Sequence, residues 1–351
     1  ATHAAGGSTC WRATGTGKAI VIELVDPDDR TSALTVDGDT LRARSGRSYP
    51  IVNGIPRFAP ADDADQSQTS ESFGYKWNRQ PDWGLKPEHQ AVVWSTWKDF
   101  FGWSGPADLK PLLEGTIMLE AGCGSGSAMK QFAEWPAELV AVDISNAIDA
   151  CQKNFGGLPH VSFVQSDLNR LPFRDNVFDV VWSHGVLHHT PDTRESAAAL
   201  VRHLKHGGLF ICYIYRRKGP IREFVDDYLR DQWAPLPPAD AWERAEALTE
   251  LARSLAHLDT NVVIERDVPD LGITRGTFPI QRFVYQHVMK CFWNDGLSFD
   301  DNVNVNFDWY HPRYAHRHTV DEVRGWLPDL GLSEIALRES DSGISVVARK
   351  Q

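Results

Sequence analysis

A chain of 351 residues can bury one large core with smaller appendages, and 42% hydrophobic with 24% charged residues is the balance of a soluble globular protein. A formal net charge of −11 lacks the cationic surface that nonspecific nucleic-acid binding needs, which disfavours nucleic acid as a partner. The cysteines, Cys10, Cys123, Cys151, Cys212 and Cys291, are scattered with no C-x-x-C pair, against both a disulfide scaffold and a four-cysteine zinc site. No apolar run approaches the ~20 residues of a membrane span. The opening ATHAAGGST lacks the apolar stretch of a signal peptide, so a reduced, cytoplasmic protein without a membrane partner is expected.

In chain order, residues 1–60 form the first unit. From residue 10, short β-prone runs (AIVIELV, SALTV, DTLRAR) alternate with Asp/Gly turns, as in a small sheet module. Residues 61–110 form a second unit. It opens on ADDADQSQTSES, 61–72, a polar, linker-like stretch, and continues into KPEHQAVVWSTWKDFFGW, where Val93, Trp94, Trp97, Phe100 and Phe101 recur at helical spacing. Many of the thirteen tryptophans fall in Trp77–Trp103 and Trp293–Trp326, which predicts buried aromatic surface or an apolar pocket there.

Residues 111–215 change rhythm to strand, turn, helix and strand: TIMLEAG, ELVAVDI, VSFVQSD, FDVVWSH and GLFICYIY. Before the last of these, Asp192 and Glu195 open a helix with Ala198, Leu200, Val201 and Leu204, predicted to stop at Gly207–Gly208. Such alternation predicts an α/β fold, a parallel sheet covered on both faces. Residues 216–318 interrupt it with mostly helical, aromatic-rich sequence. Residues 319–351 supply a capping box at Thr319 and Glu322, a helix through Val323, Trp326 and Leu327, and the strands LSEIALRES and GISVVARK.

The sharpest local signal is LEAGCGSGSA, after a strand and opening a helix. Gly122, Gly124 and Gly126 allow a tight turn and close approach of backbone N–H groups to a ligand. The dinucleotide fingerprint wants a further glycine where Ser127 stands. Acidic Glu120 suits a zwitterionic or cationic ligand better than a pyrophosphate. Asp143 ends the second strand, 17 residues after Gly126, where a carboxylate can accept both ribose hydroxyl protons. Asp167 ends the third, where it can accept from an adenine amino group.

On EAGCGSG, AVDIS, QSDLNRLPF and FDVVWSHGVLHHTPD, residues Thr116–Tyr215 resemble the class I S-adenosylmethionine-dependent methyltransferases of the ubiquinone/menaquinone-methyltransferase-like, type 11 group. The resemblance implies a Rossmann-like seven-stranded sheet with a helical substrate lid formed by 216–318. It also implies S-adenosyl-L-methionine as cofactor, with S-adenosyl-L-homocysteine as product. The methionine moiety would lie around Glu120 and the three glycines, with Asp143 and Ile144 at the ribose. Asp167 and Leu168 would flank adenine, and Ser183 and His184 would sit by the sulfonium. Segments preceding the first strand commonly cover such a cofactor. FGYKWNR therefore makes Tyr75 and Trp77 candidates offering π-faces, or else a hydrophobic staple for the following helix. LRARSGRSYPIVNGIPRF resembles the Trm112-like module. The cysteine pair usual there falls near Arg42 and Ser45, so a metal-free structural or docking module is expected.

Methyl transfer from a sulfonium requires alignment and exclusion of water, with a general base only if the acceptor loses a proton early. WSHGVLHH stands where an Asp/Asn-Pro-Pro-Tyr/Phe segment would mark amide or amine chemistry. His184 is the catalytic candidate at that strand end; His188, a substrate-binding candidate, and His189 are also open to packing roles. DWYHPRYAHRHT, 308–319, ends the insertion. Pro312 breaks a single helix through its three histidines, and no cysteine is near, so no metal is expected. Tyr310 and Arg313 are candidates for acceptor binding, and His311 and Tyr314 for proton removal, with a structural anchor as the competing reading. The expected substrate is a small aromatic or amphipathic metabolite. An RNA or protein methyltransferase, and a cofactor-binding protein without methyl transfer, are the alternatives.

Overall fold

The computed structural model describes residues 22–58 and 63–351, so Cys10 and the first part of the N-terminal module lie outside the described residues. The module is an antiparallel meander of β1 (Thr35–Asp37), β2 (Thr40–Arg42), β3 (Ser48–Val52) and β4 (Ile55–Pro56). Asn53 and Gly54 both take positive φ in the two-residue turn joining β3 to β4. Near positions 42 and 45 the organising group is a carboxylate: buried Asp26 accepts from Ser45 Oγ at 3.0 Å and Tyr49 Oη at 2.9 Å.

The stretch read as a linker is largely helical. α1 (Ala64–Arg79) starts at Asp63, whose side chain caps Gln66 N–H at 2.7 Å. Its buried side is polar, with Gln66, Thr69, Ser72 and Lys76, so no apolar period betrayed it. α2 (Pro87–Phe101) follows with the expected face, burying Trp97, Phe100 and Phe101, and ends at Gly102 in the left-handed region. α3 (Pro106–Leu113) leads into the main sheet.

That sheet takes β5 (Ile117–Ala121), β6 (Glu138–Asp143), β7 (Val161–Gln165), β8 (Phe178–His184) and β9 (Leu204–Tyr215) from the alternating region, with α4 (Ala147–Phe155) and α5 (Thr193–His203) as connections. The chain passes from α5 into β9 at Leu204, earlier than expected. Leu204 already pairs with Phe178, so Gly207–Gly208 lie within the strand. The insertion supplies α6 (Pro220–Trp233), α7 (Pro238–Ala256), an antiparallel hairpin of β10 (Asn261–Ile264) and β11 (Gly276–Pro279) that the sequence reading did not assign, α8 (Ile280–His287) and α9 (Phe299–Tyr310). α10 (Val320–Asp329) carries the reciprocal Thr319/Glu322 capping box, and β12 (Leu332–Glu339) and β13 (Gly343–Lys350) close the chain.

The order is β12–β13–β9–β8–β5–β6–β7, with β13 alone antiparallel to the rest. This is a seven-stranded, Rossmann-like α/β sheet with a small β-rich N-terminal module. The module covers the edge at β7: Phe58 N–H donates to Gln165 O at 2.7 Å, and Arg57 meets Asp149 at 2.6 Å. Parallel pairing gathers the carboxyl ends of β5, β6, β8 and β9 at one rim, where ligands of open α/β sheets bind. Among the described residues no helix is long and apolar enough to cross a membrane.

Candidate functional site

A cavity of about 790 Å³ opens at this rim, floored by the strand ends and walled by α1, α2 and the insertion. At one end stands Glu120, 3% exposed, with Oε2 lacking any partner. Burial, and secondarily the charge of Asp143, holds its carboxyl well above the usual range. The adjoining loop has no room for a side chain at its glycines. A Cβ on Gly122 would lie 2.3 Å from Val186, and one on Gly124 would lie 2.7 Å from the Trp77 indole; both glycines have positive φ. Trp77 therefore lies directly on the loop, and it lines the cavity.

Asp143 Oδ2 accepts from Gly124 N–H at 2.8 Å, and Oδ1 accepts from Ser145 N–H at 2.9 Å and Ser145 Oγ at 2.6 Å. Of the carboxylate's roughly four acceptor positions, one remains for a ligand hydroxyl, fewer than the pair expected. Desolvation outweighs these bonds and raises its pKa. Ile144, Asp167 and Leu168 line the same end, with Asp167 Oδ1 fixed by Asn169 N–H at 2.9 Å.

Several candidates lie elsewhere. Tyr75 faces away from the cavity, against Trp242 and Phe307 at ring separations of 6.1 and 5.9 Å. Ser183 is buried and donates to Ala121 O at 3.1 Å, tying β8 to β5. His188 is packed beneath the site, its ring 3.6 Å from that of Tyr215. Its neighbour His189 lines the cavity, with Nδ1–H donating to Tyr314 O at 2.6 Å. His184 does reach the cavity. It stacks on Tyr213 at 5.0 Å, and its Nε2 has no partner. Burial pulls its pKa down to about 4, so the ring is neutral at pH 7 and a weak proton acceptor.

The 308–319 segment divides sharply. Asp308 and Trp309 line the cavity, whereas Tyr310, His311, Arg313 and Tyr314 do not. Tyr310 donates its hydroxyl to buried Asp226 at 2.7 Å. His311, 1% exposed, donates from Nε2 to Leu236 O at 3.1 Å and accepts at Nδ1 from Ser72 Oγ at 2.8 Å. Arg313 pairs with Asp231 at 2.9 Å, and Tyr314 donates to Asp63, the cap of α1, at 3.0 Å. Both acceptor-binding and both proton-transfer assignments here give way to anchoring. His311, Tyr314 and the Arg313 backbone hold α1, which also walls the cavity, while Tyr310 and the Arg313 side chain anchor α6.

His311→Ala should therefore cost about 1–3 kcal/mol of stability in urea unfolding by stranding Ser72 and Leu236 O. S-adenosylhomocysteine affinity should not fall comparably. Unchanged stability with lost turnover would return His311 to catalysis. Among the described residues no group of three His, Cys, Asp or Glu is placed to hold a metal ion.

The sequence reading missed the opposite wall. Lys76 Nζ meets Asp308 Oδ2 at 2.6 Å, and Lys290 Nζ lies 4.0 Å from Asp308 Oδ1 and 4.3 Å from the Trp309 ring centre. Phe73, Phe100, Tyr213 and Tyr215 complete an aromatic lining. The cavity side of α1 runs Gln66, Thr69, Phe73, Lys76 and Trp77, a helical spacing available as a signal once 61–72 is read as helix.

Residues 119–212 match the methyltransferase-domain family. The chain is similar to phthiotriol/phenolphthiotriol dimycocerosates methyltransferase 1 of Mycobacterium ulcerans, with 29% identity over 163 residues covering 45% of this chain and 57% of that one. It is also similar to YcgJ, an uncharacterized methyltransferase of Bacillus subtilis, with 25% identity over 187 residues covering 52% and 62%. The chain spans less than two thirds of the length of these curated relatives. Among solved structures, the Burkholderia thailandensis 1,6-didemethyltoxoflavin-N1-methyltransferase aligns over 90% of this chain and 98% of its own at 15% identity, with a TM-score of 0.43.

Proposed function

With residues 119–212 identified as a class I S-adenosylmethionine-dependent methyltransferase domain, whose cofactor is S-adenosylmethionine, we propose that the chain methylates an O, N or C nucleophile of a small aromatic or amphipathic metabolite. The observation that carries this is the orphaned Glu120 carboxylate at the head of a glycine-rich loop, in one cavity with an aromatic far wall. The residues fit the cofactor. Glu120 Oε2 lacks a donor that an ammonium group would supply, and the glycine loop leaves room only for backbone approach.

When bound, the cofactor supplies an electrophilic methyl group on a sulfonium that is already a good leaving group. Glu120 would receive the amino group, and Asp143, already locked to the loop through Gly124, would receive a ribose hydroxyl. Asp167 and Leu168 would border the adenine. Trp77 would close over the loop and exclude water. His184, Phe100 and Tyr213 would present flat faces to the acceptor at the strand ends and fix its approach. The neutral His184 ring would orient an acceptor hydroxyl or N–H more than it would remove its proton. The N-terminal module would serve as a structural cover for the edge of β7.

Asp143→Ala removes the bond that ties the loop to β6 through Gly124 and the two that hold the turn at Ser145. It should weaken S-adenosylhomocysteine binding by more than about tenfold in calorimetry, since one bond to a charged group is worth ~1.5–3 kcal/mol. Unchanged affinity would remove the cofactor site from this loop. Release of S-adenosylhomocysteine over a panel of aromatic metabolites then reads the activity itself.

A further inference from the structure

One charged group in the far wall has no counterpart in the chemistry above. Lys290 is 6% exposed and lines the cavity, yet its ammonium makes no hydrogen bond among the described residues. Its nearest carboxylate oxygen, Asp308 Oδ1 at 4.0 Å, is beyond hydrogen-bond reach, and the other oxygen of Asp308 is held by Lys76 at 2.6 Å. The remaining charges around it are paired. Arg222 and Asp226 of α6 meet each other at 2.6 Å, and Arg282 of α8 meets Asp341 at 2.8 Å. Lys290 is therefore the ammonium of this wall without a hydrogen-bonded carboxylate, facing the unpartnered Asp308 Oδ1 and packed over Trp309.

A buried ammonium with unused donors is costly unless an acceptor reaches it, and an oxyanion offers the strongest such bond. Asp308, Arg222, Asp226 and Lys76 are the main charges acting on Lys290. Its place in the insertion, between α8 and α9, puts it on the acceptor's side of the cavity. Burial lowers its pKa to about 8, which still leaves it cationic at pH 7. Tyr285, Phe292 and Trp309 supply aromatic surface to the same lining, beside the paired Arg282 and Asp341.

We propose that the methyl acceptor carries an acidic group, a carboxylate or a comparably acidic oxyanion, on an aromatic body, and that Lys290 binds this group. The proposal rests on the methyltransferase reading and narrows its substrate class. Lys290 acts here as a specificity residue at a point remote from the methylated atom.

The test uses the whole chain saturated with S-adenosylhomocysteine at pH 7, with matched probes that differ only in charge: 1-naphthoate against 1-naphthamide, and indole-3-carboxylate against indole-3-carboxamide. Calorimetry should show each acid binding tighter than its amide by about tenfold or more, a charge-assisted bond being worth ~1.5–3 kcal/mol. Lys290→Met should bring each pair to within about twofold, and Lys290→Arg should keep most of the preference. Lys290→Gln, run in parallel, replaces the methionine variant if that one fails to fold. S-adenosylhomocysteine affinity should not change with any of the three.

Equal affinity for acid and amide in the wild type overturns the proposal. So does a preference that survives loss of Lys290, or a Lys290 variant that loses S-adenosylhomocysteine binding instead. If the wild type binds no S-adenosylhomocysteine, the methyltransferase reading itself falls. If it binds normally without acid preference, only this inference falls.

Discussion

Glu120→Gln is expected to weaken S-adenosylhomocysteine binding by roughly 10- to 100-fold while leaving the fold in place, the loss of one charge-assisted bond worth ~1.5–3 kcal/mol. The substitution keeps shape and removes only charge. Oε2 has no hydrogen-bond partner among the described residues, so the change strands nothing there in the ligand-free state. The effect also has a sign in pH. Burial, and then Asp143, holds the carboxyl protonated well above its ordinary range, whereas pairing with an ammonium requires it ionised. Binding should release a proton, and affinity should fall as pH falls; the glutamine variant should lose that slope.

Stability runs the other way in the ligand-free protein. The folded chain keeps a proton that the unfolded chain gives up near the ordinary glutamate value of 4.5. The group's contribution is thus intact below that value and is lost as pH rises towards the folded pKa. Glu120→Gln should therefore stabilise the free protein at pH 7. Calorimetry in two buffers of different ionisation heat, with urea unfolding at pH 5 and pH 7, reads both effects. Absence of proton release would leave the carboxylate without its ligand role.

The cofactor end was legible in the sequence because its demands are local. Gly122 and Gly124, pressed against Val186 and Trp77, admit no side chain, and a carboxylate at a strand end is visible as a strand followed by an acid. The acceptor wall was not legible, for a physical reason. α1 is held by polar contacts: Gln68 Nε2 donates to His311 O at 2.9 Å, and Gln68 Oε1 accepts from Arg313 N–H at 2.8 Å. A helix seated by hydrogen bonds has no apolar period, so its first half read as linker. The same contacts explain the crowd of polar rings at 310–314. Their density suggested chemistry, yet it measures how many bonds anchor this segment to α1 and α6. Lys290 gave no signal at all, since a lone lysine between two helices has the pattern of any surface residue.

Asp308→Ala should be the most damaging single change in the cavity wall, at about 3–5 kcal/mol, the cost of stranding a buried charge. Asp308 faces two ammonium groups that are each nearly removed from water, Lys76 at 2.6 Å and Lys290 at 4.0 Å, with side chains 7% exposed. Without the carboxylate these cations are left with each other. The Lys76–Asp308 pair is also the direct ionic bond between α1 and α9, so its loss loosens the two sides of the acceptor wall together.

The pH dependence separates this electrostatic cost from simple loss of packing. Burial already depresses the Lys290 pKa to about 8, and Asp308 opposes that depression. Removing Asp308 lowers it further, so the folded variant binds fewer protons than the unfolded chain and gains stability as pH rises. The deficit measured by urea unfolding at pH 7 should shrink at pH 9.5. Lys76→Met combined with Asp308→Leu removes the pair as a unit and should cost less than Asp308→Ala alone, because only one ammonium is then left without its neighbour. A single variant within about 1 kcal/mol of wild type would mean that water solvates this wall. Lys290 would then carry no demand for an acidic substrate, which links the stability of the wall to the chemistry it selects.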